Sequence, residues 1–313
     1  IDFVSDNIYR IILTGEVDID IDDIKDDIYE AINDKAYFIN IIDETTKVFD
    51  IHKYDYDLSL KGEFVRTVYA NDSYSKEEKN CPGFLVTTEN NKILLDCGNG
   101  ITRNLNFPED LNNLTIIISH LHRDHYSDIF SIAYATYVYH NLGHLKDRIK
   151  VYIPFDEASP DYYLLNNLGE EHYLEILTYN KDSLINLENT TISFSENPHN
   201  VISHSIKVTS NNQSIVYSGD TGYIGNSIEH FAKGANLLIC ESTFLKGQTR
   251  KKDYHLYAHE AATIAKKAEV EQLLLTHFWP EISPTLYKEE AQAIFKNTES
   301  AQEKQVINLS LKK

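Results

Sequence analysis

Short apolar runs rich in Ile, Leu, Val and Thr recur along the chain, broken by Asn, Asp, Gly and Pro and interleaved with stretches at helical spacing. The runs bounded by turn residues predict strands over 83–88, 93–96, 115–118, 150–153, 191–195, 205–209, 214–218, 236–240, 272–276 and 305–311. Asn90-Asn91 and Asn211-Asn212 lie between consecutive runs and predict tight turns. Ile129, Ala133, Tyr137 and His140 share one stripe, so 126–140 reads as a helix packed on a sheet. Further helices are expected over 162–168, 227–233, the alanine-rich 258–268 and 289–296.

The N-terminal stretch is patterned differently. Up to Glu63 it holds seventeen Asp and Glu against six Lys and Arg. Ile21, Ile24, Ile28 and Ala31 fall near helical spacing and predict an amphipathic helix over 21–34. Strands are expected at 37–40 and 48–51, around a turn at Asp43-Glu44-Thr45-Thr46. The acidic run reads as a solvated face. The expected organisation is a small acidic α+β appendage over 1–62 and a main domain over 63–313 that opens with a strand at 64–69.

Composition narrows the class. A chain of 313 residues with 42% hydrophobic content can bury a full core. No apolar run approaches the roughly 20 residues that span a bilayer, and no signal peptide is visible. Three cysteines without framework spacing suit a reducing compartment, so a cytoplasmic location is expected. The chain begins at Ile1 and holds no methionine, so its natural start is expected upstream. The net charge of −19 repels long polyanions, whose binding depends on Lys and Arg contacts to phosphate. It still permits a small anionic substrate, drawn in by local cations.

The chemistry concentrates in Ser119-His120-Leu121-His122-Arg123-Asp124-His125, directly after the apolar run 115–118. A core strand does not need three imidazoles and a carboxylate at its end, and a solvated loop rarely collects them. In an extended loop, histidines two apart point the same way and can share one ion, while Asp124 and His125 can reach a second. His140, His144 and His172 read as core-edge or structural residues, and His230 as a solvated one.

This H-x-H-x-D-H run resembles the signature of the metallo-β-lactamase superfamily. Leu94-Leu95-Asp96-Cys97-Gly98-Asn99-Gly100 is similar to the family's strand and turn before the metal loop. Tyr217-Ser218-Gly219-Asp220-Thr221-Gly222 is similar to its strand ending in a bridging aspartate, and Leu273-Leu274-Leu275-Thr276-His277 to its last ligand-bearing strand. The resemblance spans about residues 80 to 313. It implies a four-layer αββα sandwich and two Zn2+ ions, although the donor types also suit Mn2+ or Fe2+. His120, His122 and His199 would hold one ion, with His204 the competitor for the third place. Asp124, His125 and His277 would hold the other, and Asp220 would bridge them. Such a pair can hold a hydroxide between the ions and lower the pKa of that water.

His255-Leu256-Tyr257-Ala258 resembles the H-x-x-A element of ribonuclease Z-like hydrolases, in which the histidine sits over the metals. Asp124 and His255 are therefore the candidate catalytic residues, and His259 is read as a helix-start residue. Lys246, Arg250, Lys251 and Lys252 form the basic cluster of an acidic chain, available to substrate phosphate or merely solvated. Two departures stand out. Asn71-Asp72-Ser73-Tyr74 lacks the glycines the family often carries after its first strand, and no glycine- and proline-rich arm for transfer RNA lies between His125 and His199. His122, rather than glutamate, argues for zinc hydrolases over the flavin-linked di-iron branch. The context of His199 is not the Gly-His-Thr-Pro-Gly of many thioester- or lactone-cleaving members. The resemblance thus implies a zinc phosphodiesterase for a small or short substrate. Transfer-RNA 3′ processing is the alternative within the class, and a metal-binding scaffold the alternative outside it. No membrane partner is expected, and a homodimer is the assembly to test.

Overall fold

The structure is a computed structural model that describes residues 8–17, 25, 28, 29, 31, 38–47 and 80–309. The chain divides into two compact units, 1–70 and 71–313. In the first, β1 (Ile8–Val17) and β2 (Phe38–Lys47) pair in parallel, with Ile8 opposite Phe38 and Val17 opposite Lys47. Residues 25, 28, 29 and 31, inside the expected 21–34 helix, are helical. The turn expected at Asp43–Thr46 is corrected: β2 runs straight through it, because a ten-residue parallel ladder outweighs local turn preference. Strand β1 was not foreseen. The strands expected at 48–51 and 64–69, and the loop at 71–74, lie outside the described residues.

The second unit is the sandwich. One sheet holds β3 (Phe84–Thr87), β4 (Lys92–Leu95), β5 (Leu114–Ile117), β6 (Ile149–Pro154) and β7 (Leu174–Tyr179), in that order. Only the β3–β4 hairpin is antiparallel there. The other sheet comprises β8 (Leu184–Leu187), β9 (Thr190–Glu196), β10 (His204–Ser210), β11 (Gln213–Tyr217), β12 (Leu237–Glu241), β13 (Gln272–Thr276) and β14 (Thr298–Ser300). These lie in the order β14-β13-β12-β11-β10-β9-β8, antiparallel from β8 to β11 and parallel from β11 to β14.

Strand alternation builds the layers. Successive side chains point to opposite faces, and a strand covered on both faces is apolar throughout. Ile93, Leu95, Ile117, Ile206, Val208, Ile239 and Leu274 point inward and form the core between the sheets. Leu94 and Ile116 point outward, beneath α1 (Ile129–Asn141) and α2 (Pro160–Glu171). Leu238, Cys240, Leu273 and Leu275 point outward on the other side, beneath α3 (Ser227–Phe231), α4 (Ala258–Lys267) and α5 (Pro284–Gln292). The result is the expected αββα sandwich.

Four local expectations are corrected. Helix α1 buries Ile129, Ile132, Ala133 and Thr136, whereas Tyr137 is exposed, because the stripe drifts from the four-residue spacing read in sequence. Strands β7 and β8 lie within 155–190, where no strand was expected. They are edge strands, half exposed, so their apolar positions do not stand out. Helix α5 begins at Pro284 rather than 289, since proline suits the first helical position. Residues 305–309 form no strand. The apolar signal there is packing, as Ile307 and Leu309 lie against the inter-sheet core. Among the described residues no helix is long and apolar enough to cross a membrane.

Candidate metal centre

The parallel strands of both sheets end at one rim of the sandwich, where ligand-bearing loops of open α/β sheets gather. Asp96 follows β4, Ser119 to His125 follow β5, Asp220 follows β11, Glu241 ends β12 and His277 follows β13. His199 lies between β9 and β10, and His120 forms an isolated bridge with Ser203 that ties this loop to the end of β5. Asp96 and His277 both have left-handed backbones, with φ of 59° and 61°. Such conformations are costly for non-glycine residues and collect at functional sites.

Every expected site residue comes to this rim. His120, His122, His199 and Asp220 form one group of donor atoms, and Asp124, His125 and His277 a second, each within 4.8 Å internally. His122 Nδ1 is 3.0 Å from His120 Nε2 and 3.3 Å from His199 Nε2. Asp220 faces both groups. Its Oδ2 lies 3.5 Å from His120 Nε2, and its Oδ1 lies 3.4 Å from His125 Nε2 and 3.5 Å from His277 Nε2. Asp124 Oδ2 approaches His125 at 3.4 Å and His277 at 3.5 Å. His204, by contrast, belongs to neither group and packs its ring against Tyr179 and Phe194.

The surroundings fix the tautomers. His125 Nδ1 donates to Asp96 Oδ2 at 2.6 Å, and His199 Nδ1 donates to the Tyr254 carbonyl at 3.0 Å. Ser119 Oγ donates to Asp96 Oδ2 and accepts from His120 Nδ1; Thr243 Oγ1 donates to Glu241 Oε2 and accepts from His277 Nδ1. Two carboxylates thus each act through a hydroxyl on an imidazole, and all four rings present Nε2 to the cluster. His125 Nε2, His277 Nε2, Asp124 Oδ1 and Asp220 Oδ1 are buried without a hydrogen-bond partner. Leaving four buried polar atoms unpaired is costly, and cations at this point would satisfy them. The donor set fits divalent metal.

Electrostatics agree. Burial pushes His120 and His199 down, and takes His122 to about 4, so these rings are neutral and able to coordinate. Burial opposes the charged forms of His125 and His277 too, yet Asp220 and Asp124 beside them outweigh it and raise both. The same carboxylates that favour protonated rings would favour a cation in their place, so metal binding would compete with protons there.

The other histidines among the described residues are accounted for locally. His140 stacks on Tyr173 and bonds the Leu145 carbonyl; His144 meets the edge of Tyr139 and His172 that of Tyr137; His230 is exposed. His259 Nδ1 pairs with Glu290 at 2.6 Å. His204 carries a prediction. Burial lowers its pKa to about 4, from an unfolded value of about 6.5. The folded state therefore binds fewer protons, so this stability is complete above pH 6.5 and is lost as pH falls toward 4. About 3 kcal/mol is at stake. His204→Phe should remove that much of the acid-side slope when urea denaturation of both proteins is compared at pH 7 and pH 4.

His255 lies over the cluster. Its ring stacks on that of His277 at 5.4 Å, and its Nδ1 is 3.1 Å from Glu241 Oε1 and 3.8 Å from Asp220 Oδ2. Glu241 is buried and also accepts from the backbone amides of Thr221 and Leu256. Sequence reasoning missed Glu241, Thr243 and Ser119 as participants. The one available signal was the polar run Glu241-Ser242-Thr243 directly after a buried parallel strand. Of the basic cluster, Arg250 turns inward to Glu260 at 2.6 Å and Asp253 at 2.9 Å, while Lys246, Lys251 and Lys252 are exposed.

A two-sheet sandwich with such a rim of imidazoles and carboxylates defines a metallo-hydrolase. The chain belongs to the β-lactamase superfamily, whose domain model matches residues 91–278. It is 29% identical over 196 residues to the probable metallo-hydrolase YhfI of Bacillus subtilis, which covers 62% of this chain and 78% of YhfI. The crystal structure of YhfI superposes with a TM-score of 0.65 at 24% identity, over 74% of this chain and 92% of that one. Ribonuclease Z of Clostridium kluyveri is 42% identical over 86 residues, only 26% of this chain and 28% of that enzyme. Human tRNase Z, short form, shares the fold with a TM-score of 0.59 at 20% identity, over 77% of this chain and 97% of that one.

Proposed function

We propose that the protein is a dinuclear Zn2+-dependent phosphodiesterase acting on a small or short phosphodiester. The observation that carries this reading is His255, poised over the donor cluster and oriented by buried Glu241. His120, His122 and His199 would hold one ion, Asp124, His125 and His277 the other, and Asp220 would bridge them; Mn2+ or Fe2+ suits the same donors. When bound, the two cations supply an activated water nucleophile and Lewis acids for the phosphoryl oxygens.

The protein's own groups supply the rest. Asp96 and Glu241, through Ser119 and Thr243, fix the Nδ1 side of His120 and His277 and so aim their Nε2 atoms at the cluster. Glu241 holds the Nδ1 proton of His255, which places Nε2 as the atom that delivers a proton to the leaving oxygen. A leaving alkoxide needs that proton, whereas the thiolate expelled from a thioester needs it less. The substrate is held to be small because 126–198 is occupied by α1, β6, α2 and β7 to β9 rather than by an RNA-gripping arm, and because the net charge is −19. A homodimer in the cytoplasm, with no membrane or large nucleic-acid partner, completes the reading.

The test pairs metal content with hydrolysis of bis(p-nitrophenyl) phosphate by wild type, Asp124→Ala and His255→Ala. About two metals per wild-type chain are expected, with activity abolished by Asp124→Ala and lowered by His255→Ala at unchanged metal content. A metal-loaded wild type inert on every diester would overturn the phosphodiesterase reading and direct the search to lactones and thioesters. Cleavage of precursor transfer RNA that falls steeply with salt would favour the processing enzyme instead. A biological role untouched by Asp124→Ala would favour a scaffold.

A further inference from the structure

The loop from Arg250 to His255 does more than carry the proton donor. The Tyr254 carbonyl accepts from His199 Nδ1, and the Tyr254 ring lies 5.9 Å from the His199 ring, edge to face. The Lys252 ammonium lies 5.6 Å from the centroid of that same Tyr254 ring, within the range of a cation–π contact. Lys252 is therefore an exposed cation held two ring contacts from a member of the metal cluster. Arg250 cannot play this part, since Glu260, Asp253 and the His255 carbonyl engage it.

The loop is also fixed against the site. A Cβ built on Gly222 would sit 1.8 Å from the Asp253 carbonyl oxygen, so the turn after Asp220 and the residue after Lys252 meet at backbone contact. Gly222 N further donates to the Pro198 carbonyl at 2.7 Å, joining the His199 loop to the same wall. The backbone that carries Lys252 is thus held against the Asp220 and His199 loops, and the contact with the Tyr254 ring sets the side of the cluster on which its ammonium lies. In a chain of net charge −19, a positioned cation beside the cluster is a selective feature.

We propose that Lys252, seated on Tyr254, receives a second anionic group of the substrate, so that the preferred diester carries a further phosphate beyond the one attacked. This rests on the phosphodiesterase reading for the scissile bond. It commits in addition to the substrate's charge and to the side, that of His199 and Tyr254, on which the second group lies.

Calorimetric titration of the metal-loaded protein with thymidine 3′,5′-bisphosphate and thymidine 5′-monophosphate tests this without turnover. Wild type should bind the bisphosphate about fivefold more tightly, the scale of one partly exposed ion pair. Lys252→Ala should bring the ratio close to one, Lys252→Arg should keep it, and added salt should compress it. Lys251→Ala, an equal charge change next door, should leave the ratio alone. A ratio unchanged in Lys252→Ala, or lost equally in Lys251→Ala, would overturn the proposal. Kinetics with thymidine 5′-(p-nitrophenyl phosphate), with and without a 3′-phosphate, separate the two readings. Cleavage of both without discrimination sinks only the role of Lys252, whereas cleavage of neither sinks the phosphodiesterase reading and this proposal with it.

Discussion

Replacing His255 with alanine should lower kcat by roughly 10²- to 10⁴-fold on a diester whose leaving group is an alkoxide, and by about tenfold or less on bis(p-nitrophenyl) phosphate. The difference follows from what His255 is placed to do. A nitrophenolate departs as a stable anion and needs little protonation, whereas an alkoxide must be protonated as it leaves. Glu241→Gln should reproduce part of the loss, since a neutral amide no longer stabilises the charged imidazole whose Nδ1 lies 3.1 Å away. Metal content separates this role from a simpler one. His255 also falls within 4.8 Å of Asp220 and His277 as a third grouping of donor atoms. If it were a ligand, His255→Ala would lose metal and cleave both substrates equally poorly. The proton-donor role predicts unchanged metal content and a steep dependence on the leaving group.

Much of this site was legible because its chemistry is concentrated. Ser119 to His125 places four donors within one short loop, and Asp220 and His277 each follow an apolar run that reads as a strand. The αββα layering was legible through the resemblance that these motifs carry, with which two strand-rich halves, each with helices, agree. What sequence could not supply was pairing at a distance. Glu241 acts on His277 through Thr243 and on His255 directly, contacts that exist only once β12 and β13 lie side by side. Likewise Asp96 reaches Ser119, His125 and Tyr217, which belong to two different sheets. The Asp43–Thr46 turn failed for the converse reason, as local propensity there yields to the ladder with β1. The basic cluster read as one feature, but ion pairing splits it into an inward Arg250 and outward lysines, a division that residue type alone does not encode.

Gly98→Ala should be among the most damaging small substitutions in the protein, although Gly98 is not a ligand. A Cβ built there would stand 2.0 Å from the Asp124 carbonyl oxygen and 2.5 Å from Cys81 Cβ. Neither neighbour is the far end of a flexible side chain. The first is the backbone of a metal-loop residue, itself pinned by the bond from Cys97 N to the His125 carbonyl at 2.7 Å. Overpacking a core side chain typically costs about 1–3 kcal/mol, and a clash with backbone that cannot turn aside belongs at or above the top of that range. The strain would be relieved by moving Asp124 and His125 away from Asp220 and His277, whose facing atoms lie only 3.4 to 3.5 Å apart. Urea denaturation should therefore show a loss of about 3 kcal/mol or more, with metal content falling toward one per chain as the Asp124 group opens and the His120 group persists. A variant as stable as wild type with full metal content would show that the metal loop yields freely. Asp124 would then owe its position to the metals rather than to the close backbone approach that Gly98 permits.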